Sequence, residues 1–235
     1  MKKIARLIIL AAAMVLCAVS CLDTDAPISS GTMICNVLNP ARLETDAGEF
    51  LNITENNSIA IPDSVKRVMI NCDVLTQHED NEKEFDIRLL EFAPVTITSP
   101  VPVSETDGEE LGNDGLNITA WCSGGYLNAF TAFTSIEGST TEHAVNLVLD
   151  DTISGKDTLY LKFTHNAFGE SFDNPDADVS KIINSGKYFS YDLDPFIPSG
   201  VQSIILKIEY EWFISQDNIM IREKRLNSGY LKFTR

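Results

Sequence analysis

Chemistry in this chain would have to come from Ser123, from the histidines His78, His143 and His165, and from a surplus of carboxylates. Nucleophilic catalysis needs a hydroxyl, an imidazole and an acid converging in a cleft. Ser123 opens the turn Ser123-Gly124-Gly125, but the Gly-x-Ser-x-Gly frame is missing and no helical pattern follows. His143 and His165 stand at the start and end of strand-like runs, where an imidazole serves as a hydrogen-bonded structural residue. His78 falls in an acidic loop and reads as solvated. The carboxylates cluster in loops, and only a pair set across a cleft would hydrolyse a glycoside. Asp173, Asp176 and Asp178 miss the calcium-loop pattern: the sixth position is Asp178 instead of glycine, and the twelfth is Asn184 instead of glutamate. No Cys-x-x-Cys or paired Cys/His spacing supports zinc. Trp121, Tyr126, Tyr160, Tyr188 and Trp212 have rings suited to stacking on sugars, yet their alternation with apolar neighbours reads as core packing. The expectation is no catalytic residue, no metal and no cofactor, with ligand-binding residues unassigned.

The composition narrows the class. A chain of 235 residues that is 44% hydrophobic has the material for a sizeable core. Its net charge is -16, from 34 acidic and 18 basic residues. That balance argues against nucleic acid, whose phosphates are bound by lysine and arginine through counterion release.

The first residues read as an address. Lys2, Lys3 and Arg6 precede the apolar run Leu7 to Leu16, which is too short to remain as a membrane span. Ala18-Val19-Ser20-Cys21 then fits a lipoprotein cleavage site, with Cys21 as the lipidated N-terminus. An ordinary secretory signal with an incidental cysteine is the alternative. Several acyl chains on one cysteine would anchor stably, each buried methylene adding about 0.8 kcal/mol. Cleavage would remove three positive residues and no acidic one, leaving the mature chain still more acidic. The stretch 22–30 reads as a tether. Its acidic residues resemble a surface-export signal of some envelope lipoproteins, and a merely solvated linker is the other reading. The expected location is the outer membrane, on its periplasmic face or at the cell surface. Cys35, Cys72 and Cys122 lie in apolar strand-like runs as small buried hydrophobes, and a Cys35–Cys72 bridge is an option in an oxidising compartment.

The elements that carry these residues are strands. Residues 31–100 show alternation over Thr32 to Leu38, Phe50 to Thr54, Val65 to Leu75 and Phe85 to Thr98, with Val68, Ile70, Cys72 and Val74 on one face. This spacing predicts a small barrel of the OB type. Ser99-Pro100-Val101-Pro102-Val103 is stiff, and the stretch 101–112 reads as a linker. Residues 113–235 carry strands at Leu116 to Cys122, Tyr126 to Phe133, His143 to Asp150, Thr158 to His165, Gly186 to Leu193 and Gln202 to Phe213. Phe168 to Ser185 reads as a long polar loop, and Asp217 to Arg235 as a basic hairpin turning at Asn227-Ser228-Gly229. The whole is expected to be all-β: an OB-like barrel, then an antiparallel β-sandwich.

The runs Trp121 to Asn128, His143 to Asp150 and Leu159 to Asn166, followed by Tyr188 to Leu193, resemble the C-terminal sandwich of the NigD-like lipoproteins. The domain order matches too: signal peptide, lipid-attachment cysteine, OB-like domain, sandwich. Two features depart from the pattern. Ser64 or Lys66 stands where the family carries a glycine, and the basic tail after Phe213 is an addition. The resemblance implies a fold and an envelope location but no catalytic or ligand-binding residues. The expected function is a non-enzymatic binding or scaffolding module, held to the membrane by its lipid and facing a protein or glycan. Two alternatives stay open: a glycan-active hydrolase with a carboxylate pair between the domains, and a fimbrial or adhesin component.

Overall fold

A computed structural model describes residues 27–106, 111–170, 179–216 and 219–234. Cys21 and the rest of the signal and lipid-attachment region lie outside the described residues, as do Asp173, Asp176 and Asp178.

Five strands come first: β1 (Ser29–Asn39), β2 (Arg42–Thr45), β3 (Phe50–Glu55), β4 (Arg67–His78) and β5 (Asn81–Thr98). β1 pairs with β2 and β4, β2 with β3, and β4 with β5, all antiparallel; β3 pairs with β5 in parallel. These pairings close a ring. Its interior is filled by the faces that alternation selects, with Cys35, Leu43, Val68, Ile70, Cys72, Ile87 and Leu89 all buried. β2 was not anticipated, because four residues beside a turn signal are too few for alternation to register. Of the acidic residues after His78, Glu79 and Asp80 turn between β4 and β5, while Glu82 and Glu84 lie within β5.

β5 joins the two bodies. At 18 residues it spans about 60 Å. Residues 84 to 94 belong to the ring, and Val95 to Thr98 pair in parallel with β11 (Ile182–Asp192). Beyond it come β6 (Val101–Pro102), β7 (Asn117–Ser123), β8 (Tyr126–Ile136), β9 (Ala144–Leu149), β10 (Thr158–Asn166), β12 (Ser203–Gln216) and β13 (Ile219–Thr234). The first sheet therefore runs β3-β2-β1-β4-β5-β11-β8-β7, and a second, β13-β12-β10-β9-β6, packs against its far end. Between them lies a core of Leu127, Phe133, Leu147, Leu161, Phe163, Phe189, Tyr191, Leu206 and Phe233. Parallel pairs β5–β11, β6–β9 and β10–β12 interrupt the antiparallel pattern. Each joins strands separated by a long connection, the circumstance in which parallel pairing arises.

Two expectations are corrected. The tail is one strand, since β13 follows β12 from Gln216↔Ile219 to Ser203↔Thr234. Asn227-Ser228-Gly229 marks a bulge, because Leu206 faces Leu231 while Ile208 faces Asn227. A bulge and a turn ask for the same backbone freedom. The loop after Phe168 is also shorter than expected, because β11 begins at Ile182.

A buried junction and a histidine chain as candidate functional site

Arg67 opens β4 with no exposed surface at all. A buried guanidinium must find partners for its donors or leave a large desolvation penalty unpaid. Here Nε donates to Ser190 Oγ at 2.7 Å, Nη1 to Asn36 Oδ1 at 2.7 Å, and Nη2 to Asp46 Oδ2 at 2.8 Å and Asn128 Oδ1 at 3.2 Å. Its central carbon stands 4.6 Å above the Tyr126 ring. Asn36 and Asp46 belong to the ring; Tyr126, Asn128 and Ser190 belong to the sandwich. Arg67 thus pins the two bodies together.

The Ser123 turn completes this junction. Gly124 and Gly125 have φ of +57° and +77°, the successive positive angles of a two-residue hairpin loop between β7 and β8. The turn sets Ser123 Oγ to donate to Asp46 Oδ2 at 2.5 Å and to accept from Asn128 Nδ2 at 2.9 Å. Ser190 Oγ in turn donates to Asn128 Oδ1 at 2.6 Å. No histidine enters this network. The Ser123 hydroxyl is held between a carboxylate and an amide.

The histidines gather elsewhere. His143 and His165 both contact Phe133, about 24 Å along β8 from its start at Tyr126. His143 Nδ1 lies 3.1 Å from His165 Nε2, His165 Nδ1 lies 3.2 Å from the Gly115 carbonyl, and His143 Nε2 lies 3.3 Å from Glu170 Oε2. A carbonyl at one end and a carboxylate at the other both require a donor. The carbonyl is met when His165 carries its proton on Nδ1, which leaves its Nε2 facing His143 as an acceptor. The two imidazoles are buried, and burial pushes His165 down to about 4, with His143 beside it adding to the effect. Glu170 is held down at about 2, chiefly by the Ser139 hydroxyl and then by Thr141.

Glu170 and His143 face a crevice of about 480 Å³ that Ser135, Ser185 and Lys187 also line. Its charged groups and serines are engaged: Ser135 with Ser185, Lys187 with Glu142, and Glu170 with Ser139 and His143. The hydroxyls meet carboxylate or hydroxyl, never imidazole. A proton-accepting imidazole aimed at a nucleophile, the minimum for acyl transfer, is not assembled among the described residues.

Cys35 and Cys72 are free thiols buried in the ring, where burial drives them up to about 12 and about 11. His78 is partly exposed but not simply solvated: its Nε2 sits 2.9 Å from Asp86 Oδ1, and that hydrogen bond raises its pKa. None of the rings of Trp121, Tyr126, Tyr160, Tyr188 and Trp212 is buried. The aromatic core is instead Phe133, Phe163, Phe189, Tyr191 and Phe233. Tyr188 packs on Phe130 at 4.7 Å on the outer sheet face, and Tyr160 carries Lys207 Nζ 4.7 Å from its ring centre. Among the described residues no group of three or more metal-binding side chains converges.

Arg67, Asp46 and Glu170 were not singled out from sequence. A lone arginine opening an apolar strand was the available signal for the first; nothing local marks the other two.

Comparisons with known proteins agree with this architecture. The family model for the NigD-like C-terminal beta sandwich domain matches residues 99–185. A NigD-like immunity protein from Bacteroides caccae superposes with a TM-score of 0.64 at 18% identity, covering 88% of this chain and 97% of that one. A candidate lipoprotein from Bacteroides fragilis gives a TM-score of 0.55 at 16% identity, over 84% of this chain and 97% of that one. A protein of unknown function from Bacteroides vulgatus gives 0.55 at 17% identity, over 86% and 92%. No curated protein sequence matches. The runs Trp121 to Asn128, His143 to Asp150 and Leu159 to Asn166 all fall inside the segment that is similar to the NigD-like C-terminal beta sandwich domain.

Proposed function

We propose that this chain is a non-catalytic envelope lipoprotein, anchored through Cys21, that presents two rigidly joined β-bodies as a binding or scaffolding module. The observation that carries the reading is the state of its reactive side chains. Ser123, Asp46, Arg67 and Asn128 bond one another inside the junction, where Asp46 Oδ1 alone is left without a partner, and His143, His165 and Glu170 bond one another in the sandwich. Polar networks of this kind rigidify a fold, and here they hold the hydroxyls and imidazoles against one another. The fold shared with an immunity protein and a candidate lipoprotein supports the same direction.

The test has two parts, on the full chain produced in a bacterium that lipidates its envelope proteins. An alkyne analogue of palmitate should label the wild type and not Cys21→Ala, and only the wild type should sediment with membranes. The purified lipoprotein should leave a panel of chromogenic glycosides and esters unhydrolysed. Labelling of the Cys21→Ala chain, or turnover by the wild type that Glu170→Gln abolishes, contradicts the proposal.

A further inference from the structure

Two cavities meet on the outer face of the second sandwich sheet. One, of about 510 Å³, is bounded by Asp150, Ile153, Tyr160, Lys162 and Glu209. The other, of about 530 Å³, lies between Thr106, Gly112, Lys162 and Thr164. Val103, Val148 and Lys162 line both, so the two form one groove along β10. Alternation buries Leu159, Leu161 and Phe163 in the core and turns Tyr160, Lys162 and Thr164 outward, in a row about 13 Å long.

Thr164 is the informative member. It is only 5% exposed, and its Oγ1 has no hydrogen-bond partner. An unmet hydroxyl at such depth costs stability and calls for an explanation. Thr164 lines the second cavity, the space from which a donor or acceptor would have to approach that hydroxyl.

We propose that this groove binds a short oligosaccharide, an inference that rests on the reading of the chain as a binding module. A sugar hydroxyl both donates and accepts. The groove supplies donors in Lys162 and Thr164, acceptors in Asp150, Glu209 and Thr164, and an apolar wall of Val103 and Ile153 for the C–H face of a ring. Tyr160 adds an aromatic surface fixed in place by Lys207, whose Nζ donates to the phenol oxygen at 3.0 Å. An extended peptide fits less well. Strand addition needs an open sheet edge, whereas this groove lies on the face of the sheet, and the edge strand β6 includes Pro102, which has no N–H to offer.

Saturation-transfer NMR and calorimetric titration on the full chain in detergent test this with maltotriose, cellotriose, xylotriose and chitotriose, and with trialanine as the peptide probe. At least one trisaccharide should bind. Its affinity should fall about tenfold or more in Thr164→Val and in Tyr160→Ala, as expected when a buried hydrogen bond or a stacking surface is lost. Thr164→Val should melt no lower than the wild type, since it removes an unpaired buried hydroxyl, so weakened binding there cannot be misfolding. Absence of trisaccharide binding at millimolar concentration, or affinity unchanged in both variants, overturns the proposal. Binding of trialanine alone also overturns it while leaving the broader binding-module reading intact; enzymatic turnover would remove that reading separately.

Discussion

Gly124 exists where Asp46 needs room: a Cβ at position 124 would stand 2.2 Å from Asp46 Oδ1. The two residues belong to different bodies, one in the hairpin turn that opens β8 and the other in the turn after β2. Their approach brings the Asp46 carboxylate to Arg67 on one side and Ser123 on the other.

Gly124→Ala therefore fails twice, on the close approach and on φ of +57°, which an alanine adopts only under strain. The expected cost exceeds about 1 kcal/mol. Gly125→Ala has open space around its Cβ and pays only for its φ of +77°. Denaturant unfolding of the pair should rank Gly124→Ala as the less stable. Equal stability would remove Asp46 from the explanation.

Arg67→Met leaves Asp46 as a buried carboxylate without its cation. Breaking a buried pair from one side costs about 3–5 kcal/mol. Arg67→Lys should recover little of this, because an ammonium cannot span Ser190, Asn36 and Asp46 from a single plane. Urea midpoints of the two variants against the wild type read the effect.

Acid should weaken the sandwich before neutral pH matters at all. His165 has its pKa depressed from 6.5 to about 4, so the stability linked to its neutral form is complete above 6.5 and is lost as pH falls toward 4. The loss amounts to about 3 kcal/mol by linkage. Glu170, depressed to about 2, adds a second loss that begins below 4.5. Melting temperature followed from pH 7 to pH 4 should fall more for the wild type than for His165→Gln, which has no imidazole to charge.

Cys35 and Cys72, raised to about 12 and about 11 by burial, hold almost no thiolate at neutral pH. Alkylation by iodoacetamide should be slow in the folded chain and fast in urea. Rapid labelling of the folded chain at both positions would contradict the closed ring core.

Much of the fold was legible because burial follows alternation. Val68, Ile70, Cys72 and Val74, and likewise Leu159, Leu161 and Phe163, face inward as their spacing demands. Arg67 was not legible. Its partners lie 31, 21, 61 and 123 positions away, so no local pattern announces them. The outward aromatics misled for the opposite reason. Alternation states that Tyr160 and Leu161 face opposite ways, but not which face another layer covers. The same silence hid the meeting of His143 and His165, which needed the β9–β10 register His165↔Val145 and Asn166↔Ala144 to be known first.

The most direct test of the junction is native-state amide hydrogen exchange on the wild type and Arg67→Met, read at β4 in the ring and at β8 and β11 in the sandwich. If Arg67 locks the bodies into one unit, protection in the variant falls at all three strands together. Protection lost at β4 alone, with β8 and β11 exchanging as in the wild type, would contradict it.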